Sequence, residues 1–130
     1  MSLRVEVVSP ERILYQGDAD MVIARTLGGG EIAFMTGHAP FMGALDIATV
    51  TIRATQGADE VIAVHGGFVE VSNDTVTILS DAAEVGSQID VERARRSAEQ
   101  AEARLRLEHD AGAEAEARRA HVRLQAAGHA

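Results

Sequence analysis

The stretch FVEVSNDTVTIL, residues 68–79, predicts a tight β-hairpin. Its two arms alternate apolar with polar residues and are rich in β-branched side chains, which suit pleated strands. Asn73 and Asp74 lie between the arms, and these residue types tolerate the positive φ angles that a two-residue hairpin turn requires. We therefore expect two antiparallel strands here, and we ask how far the same pattern extends.

The first 89 residues are rich in Val, Ile, Thr and Gly throughout. The other predicted strands are residues 3–7, 13–15, 19–26, 31–35, 49–54 and 60–65. Loops or turns are expected at 9–12, 28–30, 36–40 and 56–59, and the pair Gly66-Gly67 predicts a bulge or a close backbone approach. Many short strands separated by turns predict a β-sandwich or flattened barrel.

The composition changes abruptly at Asp90. No Ile, Thr, Phe, Tyr or Pro occurs from that residue onward, and Ala, Glu and Arg, which favour helices, take their place. Asp90 is a suitable N-cap for a helix over residues 91–109, and a second helix is predicted over 113–127, after Ala111-Gly112. The predicted class is α+β, mainly β: a sandwich over residues 1–87, with a polar linker at 80–88, and an antiparallel two-helix hairpin over 88–130.

The predicted seam between the two helices consists mostly of alanine. Its members are Val91, Ala94, Ala98, Ala101, Leu105, Ala113, Ala117, Ala120 and Leu124. Because alanine has less apolar area, burying it stabilises a fold by about 2 kcal/mol less than burying leucine. We therefore predict that the hairpin is weakly anchored. The helices themselves are supported by the (i, i+4) pairs Glu92–Arg96, Glu102–Arg106 and Glu114–Arg118. Two interpretations remain open: a hairpin that exchanges its packing partner, and one that is permanently docked.

Charge and composition argue against several classes of function. The first 89 residues carry twelve acids against four arginines, which disfavours nucleic acids and anionic lipid surfaces as partners. The chain has no cysteine and no lysine, and its histidines are not spaced as metal ligands. There is no apolar run long enough for a membrane span and no signal segment, so we expect no membrane insertion and a cytoplasmic location. No supported acid–base pair is apparent, so we predict neither catalysis nor a metal site.

Three arginines of the helical part could bind an anion. Arg119 and Arg123 are like-charged neighbours one helical turn apart, which is unfavourable unless an anion or a carboxylate lies between them. Arg93 is in the first turn of the other helix, and an antiparallel hairpin with arms of unequal length could bring it close to the same place. The alternative is that all three belong to a solvated helix face.

Several segments resemble a known family. They are Gly30-Glu31-Ile32, Gly37-His38-Ala39-Pro40, Gly66-Gly67-Phe68-Val69-Glu70-Val71 and Val76-Thr77-Ile78-Leu79. Their order and spacing resemble the epsilon subunits of bacterial F-type ATP synthases, over nearly the whole chain. The resemblance implies a non-catalytic rotor subunit of the central stalk, held peripherally at the cytoplasmic face of the bacterial membrane.

The resemblance also implies partners. These are the gamma subunit, the membrane rotor ring of c subunits and, when the hairpin is extended, the alpha/beta catalytic ring, where the hairpin blocks ATP hydrolysis. The candidate interface residues are Glu31, His38, Pro40 and Met42. Residues 33–36, Ala-Phe-Met-Thr, depart from the commoner Gly-Ile-Leu-Pro of the family.

Some family members bind ATP through an Ile/Leu-Asp-x-x-Arg-Ala segment, which residues 89–94 match. The resemblance thus gives ATP as a regulatory ligand, with no cofactor required. The candidate ATP-binding residues are Glu84, Ile89, Asp90, Arg93, Ala94, Arg119 and Arg123. Gln100 stands where nucleotide-binding members can carry another arginine. The alternative function is an ATP-sensing module with little inhibitory role.

Overall fold

A computed structural model describes residues 2–128. The strands are β1 (Leu3–Val8), β2 (Ile13–Thr26), β3 (Gly30–Phe34), β4 (Phe41–Ala54), β5 (Glu60–Ser72), β6 (Thr75–Leu79) and β7 (Ala83–Val85). A 3-10 turn, Gly86–Gln88, leads to the helices α1 (Val91–Leu107) and α2 (Ala111–Ala126). The predicted α+β class, a flattened barrel followed by a helical hairpin, is confirmed.

The sheet closes on itself. Its strand order is β1-β6-β5-β4-β2, and β2 pairs back onto β1, while β3 pairs with β2 and β7 with β5. Only β1 and β6 are parallel among the described strand pairs. Closure leaves few free strand edges, and the inward side chains alternate with outward ones along each strand.

The core of the barrel consists of inward-facing aliphatic residues and one phenylalanine. Its buried members are Leu3, Val5, Val7, Ala19, Val22, Ala24, Phe34, Leu45, Val50, Ile52, Ile62, Val64, Val69, Val71, Val76 and Ile78. Every one of them belongs to the strands, so the barrel encloses its hydrophobic core without the helices.

Several observed strands are longer than the sequence predicted. Residues 13–15 and 19–26 form one strand, β2, which passes from β1 to β4 and β3 without a break at Gly17. Residues 60–72 likewise form one strand, and 49–54 is the end of a strand that begins at Phe41. Predictions of separate strands were wrong here, because cross-strand pairing carries the backbone through glycines that are weak strand formers.

Gly66 and Gly67 nevertheless mark the irregularity that was predicted. Their φ angles are +86° and +128°, and β7 pairs with β5 before them while β6 pairs after them. A Cβ on Gly67 would lie 2.1 Å from the carbonyl oxygen of Leu79. The predicted close backbone approach is confirmed. The Asn73-Asp74 turn, with φ angles of 50° and 58°, is confirmed as well.

Residues 80–88 are not a simple linker. They contain β7 and the 3-10 turn, and Ser80 is buried, its hydroxyl donating to the carbonyls of Gly66 at 2.8 Å and Ala82 at 3.0 Å. The polar composition concealed this strand because its backbone, rather than its side chains, attaches it to β5. The predicted domain boundary, between residues 87 and 88, falls inside the 3-10 turn.

Both helices begin at an aspartate. Asp90 Oδ1 accepts from the backbone nitrogen of Arg93 at 3.1 Å, which confirms the predicted N-cap, and Asp110 Oδ1 accepts from Ala113 at 2.8 Å. Helix α2 therefore begins at Ala111 rather than after Gly112, because the Asp110 cap places Gly112 in the first turn. The chain reverses over Glu108–Asp110.

The hairpin seam agrees with the prediction at most positions. Ala94, Ala98, Ala101, Ala117, Ala120 and Leu124 form its buried cluster, with Ile89 and Leu105 at the margin. Val91 is only half-buried and outside the cluster; Ile89 takes that place. The three predicted Glu–Arg pairs do not form among the described residues. Instead Arg95 pairs with Glu92, and Arg104 pairs with Glu108, just after α1, and with Glu116 on α2.

Helix α2 attaches the hairpin to the sheet. Val122 and Ala126 pack on Ala63, which points outward from β5, and this small cluster is separate from the barrel core. The approach is close at Gly86, where an added Cβ would lie 2.0 Å from the carbonyl oxygen of Ala126. Helix α1 packs on α2 rather than on the sheet. No helix within residues 2–128 has the length and apolarity needed to span a membrane.

Candidate nucleotide site and interaction surfaces

A cleft of about 480 Å³ opens where the hairpin leaves the barrel. It lies between β7, the start of α1 and the end of α2, and its lining is Glu84, Gln88, Ile89, Asp90, Arg93, Ala94, Ser97 and Arg123. Its volume falls within the range of small-molecule sites. Six of the seven residues proposed from the sequence for ATP therefore lie together, and only Arg119 lies outside the lining.

Arg93 is held at the mouth of this cleft by the geometry of the helix start. Its backbone nitrogen is bonded to the Asp90 cap, so its side chain leaves the first turn of α1. None of the described carboxylates lies within 4.0 Å of its guanidinium. The guanidinium can therefore accept an anionic ligand without losing an ion pair within the chain.

Arg123 is engaged with a carboxylate on the other wall. Its Nε donates to Glu84 Oε1 at 2.7 Å, which connects the end of α2 to β7. The three predicted arginines do not converge. Arg93 and Arg123 share the cleft, whereas Arg119, one turn earlier on α2, does not line it.

Two lining residues were missed from the sequence. Ser97 follows Arg93 by four positions, so helical periodicity alone could have placed it on the same face. Gln88 ends the 3-10 turn, and no local pattern indicated that it would line the cleft. The set supplies two guanidiniums, two carboxylates and small polar groups, which suits an anionic polar ligand and offers no activated nucleophile.

His65 lies behind the Glu84–Arg123 pair, and sequence reasoning missed it too. Its side chain is 2% exposed, and neither ring nitrogen has a hydrogen-bond partner among residues 2–128. Burial is the main cause that lowers its pKa below 6.5; the positive charges of Arg123 and Arg119 act in the same direction, and Glu84 opposes them. Only the packing of α2 over β5 could reveal this residue, since the sequence around it indicates a glycine bulge.

The candidate interface residues fall into two groups. Glu31, at the start of β3, is exposed and lines a second cleft, of about 700 Å³, between β4 and α2. His38 lies past the other end of β3, where its ring meets Phe34 edge-on at 5.0 Å. Pro40 and Met42 follow it and are exposed, Met42 by 70%. The structure groups His38 with Pro40 and Met42, and separates them from Glu31.

An exposed apolar row crosses the outside of the barrel. Strand pairing places Ile13 opposite Val8, Val8 opposite Leu79, Leu79 opposite Phe68, and Phe68 opposite Ala44. Ile13, Leu79 and Phe68 are 55%, 48% and 57% exposed. Met42 belongs to the same face of β4 as Ala44, two residues away, so the apolar row reaches the predicted interface. Contiguous apolar surface of this kind marks interaction sites.

Comparison with known proteins identifies the family. A family model described as "ATP synthase, Delta/Epsilon chain, beta-sandwich domain" matches residues 2–86. The ATP synthase epsilon chain of Streptomyces griseus is 44% identical over 95% of this chain and 94% of its own length. The ATP synthase epsilon chain of Moorella thermoacetica is 45% identical over 98% of this chain and 97% of its own.

A solved structure shares the fold. A chain in the structure of the Euglena gracilis mitochondrial ATP synthase, OSCP/F1/c-ring, superposes with a TM-score of 0.69 at 20% identity and covers 95% of this chain and 76% of its own length. The expected resemblance is confirmed by the sequence relatives, which extend through the helical hairpin. This chain belongs to the family of ATP synthase epsilon chains.

Proposed function

We propose that this chain is a non-catalytic central-stalk subunit of an F-type ATP synthase, which regulates ATP hydrolysis through its hairpin. The observation that carries the proposal is the separation of three hydrophobic clusters. The barrel core and the hairpin seam are each complete, and the cluster that joins them contains three buried residues: Ala63, Val122 and Ala126. Such a junction can open while both parts keep their own packing.

The apolar row supports a stalk partner. Phe68 and Leu79 lie at its centre, and Met42 adjoins it, so a partner that covers the row also reaches the predicted interface. In this proposal the gamma subunit covers the row, and the segment from Glu31 to Met42, which contains most of β3 and the start of β4, faces gamma and the ring of c subunits. This arrangement places the chain peripherally, at the cytoplasmic face of the membrane.

Capture of gamma and the ring by tagged chain tests the stalk assignment. Phe68→Glu introduces a charge into the apolar row and is expected to abolish capture. Leu107→Glu is the matched control, because Leu107 is 86% exposed at the far end of α1, outside the row. Equal capture by the two variants would contradict this docking surface.

Regulation by the hairpin is tested with a crosslink. The chain has no native cysteine, so Asp46→Cys and Arg118→Cys, at an ion pair between β4 and α2, can be joined by a short bifunctional reagent. The proposal expects the crosslinked chain to inhibit ATP hydrolysis less than the same variant without reagent. It also expects relief when residues 90–130 are deleted. Indifference of turnover to both changes, with and without ATP, would contradict regulation.

ATP is the proposed regulatory ligand of the first cleft. Arg93 and Arg123 would contact the phosphates, and binding would hold the start of α1 close to the end of α2. Titration of the full chain with ATP should show tenfold or greater weakening in Arg93→Ala and Arg123→Ala. Arg119→Ala is the control and should bind as the unsubstituted chain does, since Arg119 is outside the cleft. Equal affinities in all three variants would contradict the site.

A second candidate is a nucleotide sensor with little inhibitory role, which the same cleft favours. ATP binding that responds to the arginine substitutions, together with an ATPase rate that ignores the crosslink, would support this candidate over the first.

A further inference from the structure

We infer that His65 makes the docking of the hairpin sensitive to protons, so that acidification favours the undocked hairpin. This inference concerns the regulation of the hairpin and rests on its proposed mobility. It requires no ligand, although Glu84 and Arg123, which act on His65, also line the nucleotide cleft. His65 lies in the junction between the barrel and α2.

His65 belongs to the docking face. It shares the outer face of β5 with Ala63, two residues away, and Ala63 is the residue on which Val122 and Ala126 pack. The His65 side chain is 2% exposed when α2 is in place. Because α2 forms the cover of this face, undocking of the hairpin would expose the imidazole to water.

When the hairpin is docked, the surroundings of His65 are unfavourable for its neutral imidazole and more unfavourable for the protonated form. Both ring nitrogens are buried without a hydrogen-bond partner in the part of the chain that the structure describes, and Nε2 lies 3.5 Å from Glu84 Oε1. That oxygen is already bonded to Arg123 Nε at 2.7 Å. A protonated His65 would therefore place a third positive charge beside Arg119 and Arg123, with one carboxylate to compensate all three.

Within residues 2–128, three charged groups act on His65. Helix α2 presents Arg119 and Arg123, and β7 presents Glu84. On β4, the residue opposite His65 is Ile47, which carries no charge. The two arginines belong to the hairpin and leave with it, whereas Glu84 stays on the barrel. Undocking thus removes both repulsive groups and retains the attractive one.

The direction of the pH dependence follows from linkage. Burial and the two guanidiniums lower the pKa of His65 in the docked state, and exposure would restore it to about 6.5. The undocked state therefore binds more protons below this pH. Docking is unaffected well above pH 6.5 and weakens as the pH falls through it, by at most about tenfold between pH 7.5 and 5.5.

Energy transfer between two dyes on the full chain measures docking directly. Arg53→Cys on β4 and Glu99→Cys on α1, both exposed positions, carry the dyes, because the chain has no other cysteine. The docked fraction of this labelled chain should be constant from pH 8.5 to 7.5 and should fall between pH 7 and 5.5. The fall should occur in the absence of nucleotide.

Three variants assign the effect. His65→Leu removes the buried unpartnered nitrogens and should stay docked across the whole range. His65→Arg carries a permanent charge and should be undocked at pH 8. His121→Gln is the matched control, because His121 is also in the hairpin but pairs with Glu102 across the two helices, away from β5; it should follow the unsubstituted chain. Circular dichroism verifies that each variant keeps its strands and helices.

The outcomes separate this inference from the proposed function. An unchanged pH response in His65→Leu would overturn the inference. The inference would also be overturned if Val122→Ala undocks the hairpin but docking in the unsubstituted chain does not change with pH. That result would leave the proposed mobility of the hairpin intact. If neither Val122→Ala nor His65→Arg undocks at any pH, the mobile hairpin fails and the inference fails with it.

Discussion

The barrel and the hairpin differ in what they bury. The barrel core contains Phe34, Leu3 and several Ile and Val residues that are fully buried, whereas the hairpin seam consists of five alanines and one leucine. A buried Val, Ile, Leu or Phe contributes about 1.5–3 kcal/mol, and alanine far less. The two parts therefore have unequal stabilities, and the junction between them is smaller than either.

The hairpin can detach because most of its stabilising contacts lie within the hairpin itself. The helices are stabilised locally, by Asp90 and Asp110 at their N-termini, and by each other. Their docking on β5 adds a few apolar contacts and two ion pairs, Arg118–Asp46 and Arg123–Glu84. Four substitutions can test whether each part is strongly packed by itself and only weakly attached to the other.

The largest effect is expected in the barrel core. Phe34→Ala removes a fully buried ring that contacts Phe41, and it should lower the free energy of unfolding by about 3–5 kcal/mol. Urea denaturation followed by circular dichroism in the strand region measures the loss. Met42→Ala is the control, since Met42 is 70% exposed on the outside of the same barrel. A loss below about 1 kcal/mol for Phe34→Ala would contradict a core centred on the strands.

A substitution in the junction should have a smaller effect, and it should leave the stability of the barrel unchanged. Val122→Ala removes two carbons from the cluster on Ala63 and should weaken docking by about 1–2 kcal/mol. Dye-labelled chain gives the docked fraction, and the thermal unfolding of the barrel should not change. Leu107→Ala serves as the control, because its side chain is 86% exposed. A parallel loss of barrel stability would show that the two parts are a single cooperative unit.

Within the hairpin, the cap of α2 should matter by itself. Asp110→Ala removes the acceptor for the Ala113 backbone nitrogen and should destabilise α2 by about 1 kcal/mol. Hydrogen exchange of the amides of Ala113 and Glu114, which are bonded to Asp110, should accelerate about fivefold. Asp110→Asn retains a capping oxygen and should remain close to the unsubstituted chain. Equal exchange in both variants would show that tertiary packing, rather than the cap, holds this helix end.

The smallest effect is expected at a surface ion pair of the junction. Arg118 lies 3.5 Å from Asp46 and its side chain is 53% exposed, so Arg118→Ala should change docking by less than about 0.5 kcal/mol. The comparison is made at low salt and at 1 M salt, where the difference should vanish. If Arg118→Ala undocks the hairpin as strongly as Val122→Ala, electrostatic attraction rather than apolar contact dominates the junction.

Most of the fold could be predicted because it is encoded locally. The Asn73-Asp74 turn, the Asp90 cap and the alanine seam each follow from a few neighbouring residues, and all three are confirmed. The misplaced boundaries have one cause. Strands β2 and β5 continue through glycines, and β7 forms in a polar stretch, because pairing with distant strands overrides local preference.

The candidate cleft was predicted in composition but not in arrangement. Residues 89–94 form a continuous segment, so the resemblance could indicate Ile89, Asp90, Arg93 and Ala94 together. The angle at which α2 crosses the barrel determined the rest: it brings Arg123 onto Glu84 and into the lining of the cleft, and it leaves Arg119 outside that lining. Helical spacing alone could not separate these two arginines, since they are one turn apart.

Local sequence was enough to divide the chain into a strand-forming part and a helix-forming part, because β-branched and alanine-rich segments differ in backbone preference over short distances. Motifs in a fixed order were enough to indicate the family. The face of the barrel that α2 covers depends on the folded chain alone. That contact joins residues about sixty positions apart, and it alone buries His65 among charges that no local pattern brings together.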